Sequence, residues 1–275
     1  MKKFEGILIC TDLDGTLLRK DKTVSKENFE AIEYFKSEGG MFTFITGRMP
    51  YTSGSILNMI RPNVPFGCIN GGGIYDPEKD DYVWNVELKA DAIDLVEYAD
   101  ERIPGLGIQI NMFDKIYFSR ENSAMEAFRK STGSPNLVAH YRDIKEPIAK
   151  VVFGDEREGV IQELQSLLFA HPRADEFDFI RSELRLYEIL PKGISKGTVL
   201  KKLAEHLGVD MKKTIAVGDY NNDISMIRAA GIGIAVANAN DDVKAYADHV
   251  TVDHEQHALA RIIADIEEGN LRFSE

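Results

Sequence analysis

The chain is poor in cysteine, in basic charge and in long apolar runs, and each shortage closes off a class of protein. Its 275 residues include two cysteines, Cys10 and Cys68, which sit in separate apolar stretches. They read as reduced core residues and leave no disulfide framework. Lys and Arg number 33 against 45 Asp and Glu, a net charge of −12. No basic surplus therefore exists to neutralise a nucleic-acid backbone. No stretch approaches the length of a membrane span. Met1-Lys2-Lys3 imitates the start of a signal peptide, but the apolar run behind it is too short and ends in acids. The expectation is a cytoplasmic protein without nucleic-acid or membrane partners, and no protein partner is predicted. At this length a large core can be buried, as one large domain or two smaller ones. No internal repeat or low-complexity segment is visible.

What is present starts near the N-terminus. Residues 7–10 form an unbroken apolar run, as a strand buried on both faces of a parallel sheet requires. It runs into Asp12 and Asp14, then Gly15, where the backbone can turn away. Ligands bind beyond the carboxyl ends of strands in open α/β sheets, so two carboxylates there occupy a place of chemistry. Acids that close repel, which calls for a cation, and hard carboxylate oxygens suggest Mg²⁺. A calcium-binding EF-hand loop is excluded, because it needs Gly where Leu17 stands and Glu where Thr23 stands.

The chain then alternates. A helix over 24–40, with Ser25 as its cap, leads to a second buried strand over 41–45 that ends in Thr46-Gly47-Arg48. A short helix over 55–60 precedes a third strand over 66–69, ending at Asn70 and three glycines. This order predicts an α/β fold, a Rossmann-like doubly wound parallel sheet with three polar strand ends along one edge. Hairpins and helices then mix: a hairpin over 74–87, a helix over 90–103, strands over 107–112, 115–118 and 148–153, a helix over 157–169, and paired strands over 177–182 and 184–190. They predict an inserted α+β cap over 83–188, with the core formed by 1–82 and 189–275. The sheet pattern resumes with Ser195 capping a helix that begins at Lys196 and carries Val199, Leu200, Leu203 and Leu207 on one face. A buried strand over 214–217 ends in Gly218-Asp219-Tyr220-Asn221-Asn222-Asp223. A helix over 224–230, a strand over 232–236 and a helix over 258–267 follow.

Asp219 and Asp223 are a second acidic cluster at a strand end. A calcium loop fails here too, since Ile224 stands where its glycine belongs. Lys196 can add a cation beside the amide donors of its own helix start. A nucleophile, a divalent cation and fixed donors around phosphate oxygens are what phosphoryl transfer needs, and a carboxylate can serve as the nucleophile by forming an acyl phosphate.

These motifs, in this order, resemble the haloacid dehalogenase-like hydrolases: Asp12-x-Asp14-Gly-Thr, the strand ending in Thr46, Lys196 in Gly-Ile-Ser-Lys-Gly, and Gly218-Asp-x-x-Asn-Asp223. The Thr-Gly-Arg after strand two, Asn70-Gly71, the large insert and the string from Asn222 to Gly231 resemble the Cof-type phosphatases with a class IIB cap. The resemblance implies that Asp12 attacks phosphorus and binds Mg²⁺. Asp14 then protonates the leaving group, activates water and lends its backbone carbonyl to the metal. It further implies that Thr46 and the amides of Leu13 and Gly47 hold phosphate oxygens, that Lys196 neutralises charge, and that Asp219 completes the protein's metal ligands. Asp223 steadies the metal's waters or Lys196, and Asn222 reaches phosphate or substrate. The expected activity is Mg²⁺-dependent hydrolysis of a small phosphorylated metabolite, a sugar phosphate first, with the cap setting specificity. The rivals are a phosphohexomutase or phosphotransferase, and a non-enzymatic phospho-ligand sensor.

The chain departs from the family at Val236-Ala237-Asn238-Ala239 and at Thr251-Val-Asp-His-Glu-Gln-His257. His249, His254 and His257 lack a metal-site spacing and read as solvated loop residues. Gly71-Gly72-Gly73 does not make a dinucleotide loop.

Overall fold

In the computed structural model, which describes residues 2–273, the first apolar run forms strand β1 (Leu8–Thr11), every residue of it buried. Helix α1 (Lys26–Ser37) begins where the Ser25 side chain accepts from the Asn28 amide, and it turns Ile32 and Phe35 inward. Then come β2 (Met41–Phe44), α2 (Gly54–Ile60), β3 (Phe66–Cys68), β4 (Gly73–Asp76) and β5 (Asp81–Asn85). The middle of the chain forms α3 (Ala92–Arg102), β6 (Gly107–Met112), β7 (Ile116–Arg120), α4 (Ser123–Thr132), β8 (Ile148–Gly154), α5 (Val160–Phe169), β9 (Phe177–Glu183) and β10 (Leu186–Pro191). The last part forms α6 (Lys196–Leu207), β11 (Thr214–Gly218), α7 (Ile224–Ala229), β12 (Ile232–Ala235), α8 (Asp241–Tyr246), β13 (His249–Val250) and α9 (Ala258–Glu267). Among the described residues no helix is long and apolar enough to cross a membrane.

Two units emerge. The first comprises the chain up to Gly47, Ser53–Trp84 and everything from Ser195 on; the second comprises Arg48–Thr52 and Asn85–Ile194. The sequence placed the second boundary at 188/189, which would cut β10. That strand pairs with β8 and β9 over its length, so all of it belongs to the second unit.

The first unit is built on a parallel sheet in the order β13-β12-β11-β1-β2. The chain steps from β1 to β2 on one side and later returns to β11 on the other, then outward to β12 and β13. The switch point therefore lies between β1 and β11, the crevice where such sheets bind ligands. One expectation is corrected. The third strand is not a full member of this sheet: β3 touches the end of β2 through a single parallel bridge, Ile45 to Gly67, and pairs antiparallel with β4. The cause is the backbone after it, where Ile69, Asn70 and Gly71 all take positive φ and turn the chain back into a hairpin.

The second unit has one antiparallel sheet, β7-β6-β8-β10-β9. On one face Ile108, Ile110, Val151, Phe153, Tyr187 and Ile189 meet Leu95, Val96 and Ala99 of α3 and Ile161, Leu164 and Leu168 of α5. Burying each such side chain contributes about 1.5–3 kcal/mol. On the opposite face Ile116, Phe118, Val152 and Leu186 meet Met125 and Phe128 of α4. The sequence gave no sign of α4, whose first turn buries only Ala124 and Met125.

Candidate active site

The site grows from the ends of β1 and β11, which run side by side with Thr11 opposite Val217. The Asp12 amide donates to the Val217 carbonyl at 2.8 Å, so the first acid leaves its strand beside the strand that delivers Asp219. Lys196 is the first residue of α6, behind the Ser195 cap, and only 1% of it is exposed. The helix start is held down by the Gly197 amide, which donates to Ser225 Oγ at 3.0 Å. Lys196 is thus not a solvated first-turn lysine. Its Nζ donates to Asp12 Oδ1 and to Asp223 Oδ1, each at 2.5 Å.

Asp223 is fully engaged, because its Oδ2 accepts from the amides of Asp219 (2.9 Å) and Tyr220 (3.0 Å). It holds the loop that presents Asp219. Asp219 Oδ1 accepts from Thr16 Oγ1 at 2.7 Å. Gly15 stands against this carboxylate at φ +85°, and a Cβ there would lie 2.6 Å from Asp219 Oδ2, so the loop after Asp14 requires glycine.

One oxygen from each of Asp12, Asp219 and Asp223 lies within 4.8 Å of the others. Like charges this close reshape the titration. Burial raises the Asp12 carboxyl well above the usual range; the Lys196 ammonium draws it down, and Asp223 and Asp219 push it up again. Burial and the Asp223 charge push Asp219 up to about 6. For Lys196, burial works against the charge, yet Asp12 and Asp223 outweigh it and hold the ammonium above the ordinary lysine range. One ammonium facing three carboxylates leaves a buried surplus of negative charge, which is costly unless compensated. The donors are all hard oxygens, so the group suits a hard divalent cation such as Mg²⁺. With Asp223 committed to Lys196 and two amides, Asp12 and Asp219 are the carboxylates with an oxygen to offer.

A second set of residues gathers at the end of β2. Thr46 is 2% exposed; its amide donates to the Gly67 carbonyl at 3.0 Å and its carbonyl accepts from the Asn70 amide at 3.1 Å. Positive φ at the β-branched Ile69 (59°), next to Asn70 (52°), stores strain of about 1–3 kcal/mol. The strain delivers the buried Asn70 side chain, whose Oδ1 accepts from Asn222 Nδ2 at 3.1 Å. Gly47 lies directly against it: a Cβ there would come within 2.9 Å of Asn70 Nδ2. Gly71 (φ +105°) packs so tightly that a Cβ would fall 2.1 Å from the Ser195 carbonyl oxygen. Thr46, Gly47, Asn70 and Asn222 are therefore one assembly. The sequence had marked Asn70 as a polar strand end and as part of the family resemblance, with no role of its own; the run of glycines behind it was the sign of close packing.

Asp14 stands apart from the acidic cluster. Its Oδ1 pairs with Lys22 Nζ at 2.7 Å, and its side chain is 31% exposed. The repulsion that calls for a cation is that of Asp12 with Asp219 and Asp223, not of Asp12 with Asp14. Leu13 between them is fully buried, and its carbonyl accepts from Leu17 (3.1 Å) and Leu18 (2.8 Å) in the turn that follows.

The histidine expectation is corrected in part. His249 and its strand are exposed, but His254 is 6% exposed and its Nδ1 is hydrogen-bonded to the Leu18 carbonyl at 2.8 Å. It belongs to a clamp on the loop after Asp14. Asn238 Nδ2 donates to the Gly15 carbonyl (2.8 Å), and Asn238 Oδ1 accepts from the His254 amide (3.0 Å). Glu255 accepts from the Lys20 amide (2.7 Å) and from Arg19 Nε (3.1 Å). Both segments that depart from the family pattern thus hold this loop.

The profile of the haloacid dehalogenase-like hydrolases matches residues 9–263. The chain belongs to that family. Among its relatives, the 5-amino-6-(5-phospho-D-ribitylamino)uracil phosphatase YitU of Bacillus subtilis is 28% identical, over 94% of this chain and 96% of its own length. The pyridoxal phosphate phosphatase YbhA of Escherichia coli is 29% identical, over 93% of this chain and 97% of its own. A solved haloacid dehalogenase-like hydrolase from Bacteroides thetaiotaomicron superposes with a TM-score of 0.83 at 26% identity, covering 94% of this hydrolase and 99% of that chain.

Proposed function

We propose that this hydrolase is a Mg²⁺-dependent phosphatase that cleaves small phosphorylated metabolites, sugar phosphates first among them, through an aspartyl phosphate. The observation that carries the proposal is the buried Asp12 carboxylate, held by Lys196 at the switch point of the sheet beside Asp219. Mg²⁺, held by Asp12, Asp219 and the Asp14 carbonyl, would offset the carboxylate surplus and the phosphate charge. A carboxylate oxygen of Asp12 attacks phosphorus, and the bond to the ester oxygen breaks. Thr46, the amides of Leu13 and Gly47, and Lys196 hold the phosphoryl oxygens, with Asn222 beside them. Asp14, whose surroundings differ from those of Asp12, gives the leaving alkoxide its proton. It then takes one from the water that cleaves the acyl phosphate, releasing inorganic phosphate and restoring both acids.

The second unit is proposed as the cap that selects the substrate. The arginines it carries between Asn85 and Ile194 speak for hydrolysis over transfer between two phosphate sites. Arg102, Arg120, Arg129, Arg142, Arg157, Arg173 and Arg185 all pair with acids of the same unit, and Arg181 donates to the Leu184 carbonyl. None is thereby poised as a second phosphate clamp. Free, buried cysteines fit a reducing cytoplasm. The test is phosphate release from p-nitrophenyl phosphate and a panel of phosphorylated metabolites. Turnover should vanish with EDTA and return with Mg²⁺ but not with Ca²⁺, which takes more ligands at longer distances. Full turnover in Ca²⁺ alone, or none on any ester, would overturn the proposal.

A further inference from the structure

The loop over residues 15–23 is held from outside as well as by its own turns. Within it, the Leu13 carbonyl accepts from Leu17 and Leu18, the Arg19 amide donates to the Thr23 carbonyl (2.9 Å), and the Lys22 amide donates to the Arg19 carbonyl (2.9 Å). From outside, Asn238 holds Gly15, His254 holds Leu18, and Glu255 holds both Arg19 and Lys20. The segment that carries Asn238 is itself fixed to the strand end that presents Asp219. The Val236 amide donates to the Gly218 carbonyl at 3.2 Å, and the Asn240 amide donates to the Asp219 carbonyl at 3.3 Å. All of these residues belong to the first unit.

This loop places the Asp14 carboxylate. Asp14 Oδ1 pairs with Lys22 Nζ at 2.7 Å, and Lys22 takes a φ of +63° in the turn that Glu255 grips at Arg19 and Lys20. A run of contacts thus leads from Glu255 through the turn to Lys22, and from Lys22 to Asp14. Asn238 acts from nearer, on the carbonyl of the residue that follows Asp14. Asn238 is exposed and the Glu255 side chain is 30% exposed. Polar bonds in such places are exchanged for bonds to water on unfolding and add little to stability. What they fix is geometry.

Resting on the phosphatase reading above, we infer that Asn238 and Glu255 are positioning residues for the proton transfers of Asp14, acting through the loop and Lys22 rather than on the substrate. As the bond from phosphorus to the ester oxygen breaks, the Asp14 proton passes to that oxygen, a transfer that works only within hydrogen-bond reach. Misplacing such a group by about 1 Å can cost about 10²-fold in rate. Asp12 is placed independently, by its strand and by Lys196, so a loosened loop leaves the nucleophile in order. The loop is therefore felt only by esters whose leaving group needs a proton.

The test measures kcat/KM of the full-length protein, with Mg²⁺, on p-nitrophenyl phosphate and phenyl phosphate. The nitrophenolate leaves unaided, whereas the more basic phenolate gains from a proton. Because kcat/KM covers only the steps up to phenol release, slow hydrolysis of the acyl phosphate does not enter it. In the wild type the two esters should react at similar rates. Glu255→Ala and Asn238→Ala, checked for folding by thermal melting, should each lose about 10–100-fold on phenyl phosphate and little on p-nitrophenyl phosphate. Glu255→Gln, which keeps an acceptor for the Lys20 amide, should recover most of the loss. Lys22→Ala changes a side chain that is 61% exposed, and it should show the same selective loss even where the other variants do not fold. An equal fall on both esters, or no fall, in any of the three folded alanine variants would overturn the inference and mark the clamp as a structural one. So would a wild type far slower on phenyl phosphate than on p-nitrophenyl phosphate, since the acid would then give no help to lose. A wild type that hydrolyses neither ester defeats the phosphatase proposal itself, and this inference with it.

Discussion

Two buried lysines, one in each unit, show how differently the fold treats internal charge. Lys196 is 1% exposed and faces two carboxylates at 2.5 Å, with a third close by. Lys150 is 5% exposed and donates to Glu188 at 2.9 Å. Burial is nearly equal; charge balance is not. At Lys150 one ammonium is joined to the Glu188 carboxylate in a buried ion pair. Around Lys196 one ammonium meets three carboxylates, and burial together with that surplus raises Asp12 and Asp219 and calls for a cation. Burial of a lysine therefore says little about chemistry by itself, whereas an imbalance maintained inside a sheet crevice marks a reaction centre.

The largest effect should come from the unbalanced centre. Asp12→Asn removes the nucleophile and should lower turnover by about 10⁴-fold or more, with no covalent phosphate on the protein. Asp14→Asn leaves Asp12 on Lys196 intact and removes only the proton carrier, at a cost of about 10²–10⁴-fold on an alkyl phosphate. An aryl phosphate, whose phenol leaves without help, should then give a burst of phenol near one equivalent per site and phosphate trapped on Asp12. Rapid-quench kinetics with mass spectrometry separates the two. Burst-free inactivity of both variants would remove the division of labour.

The unbalanced centre was legible in sequence because its parts sit at strand ends. An apolar run that stops at acids, as residues 7–10 and 214–217 do, announces both the sheet and the edge where ligands bind. Lys196 was readable as a helix start, but its burial was not, since that depends on Asp12 and Asp223 arriving from strands 184 and 27 residues away in sequence. Asn70 was hidden because positive φ at Ile69 contradicts the preference of a β-branched residue, so only the neighbouring glycines hinted at it. The clamp by Asn238, His254 and Glu255 was invisible for another reason. Its bonds to the loop run between segments more than 220 residues apart and mostly to backbone atoms, which leave no mark on side-chain pattern. The polar layer on the sheet of the second unit escaped as well: Gln109, Asn111, Lys150 and Glu188 alternate with apolar residues as the solvent face of any strand would, and the pattern cannot show that all four are buried.

The balanced pair should show its worth in stability. Lys150→Met removes the ammonium that pairs with the buried Glu188 carboxylate and should cost about 3–5 kcal/mol in urea denaturation. Lys150→Met/Glu188→Leu removes both charges and should recover most of that loss, because well-packed apolar residues replace a buried pair at little net cost. If the double variant were as unstable as the single one, the layer would depend on the ion pair for packing rather than for charge balance.

A smaller effect, of opposite meaning, is expected from pH. An unperturbed aspartate titrates near 3.8, while burial and Asp223 raise Asp219 to about 6 in the folded protein. Below pH 4 both folded and unfolded chains hold this proton, and its contribution to stability is fully present. As pH rises, the unfolded chain releases the proton first, so the folded state loses ground until Asp219 ionises there too. The loss should reach about 3 kcal/mol by pH 7 in protein freed of divalent metal, since each pKa unit is worth about 1.4 kcal/mol. Asp219→Asn keeps an acceptor for Thr16 Oγ1 and has no proton to lose. In EDTA it should therefore match the wild type near pH 4 and exceed it in stability near pH 7. Adding Mg²⁺ at pH 7 should stabilise the wild type and leave the variant nearly unmoved, because the ion offsets the charge that deprotonation exposes. Parallel profiles from pH 4 to 7 would mean that Asp219 feels no excess of negative charge, and the contrast with Lys150 would fail at its centre.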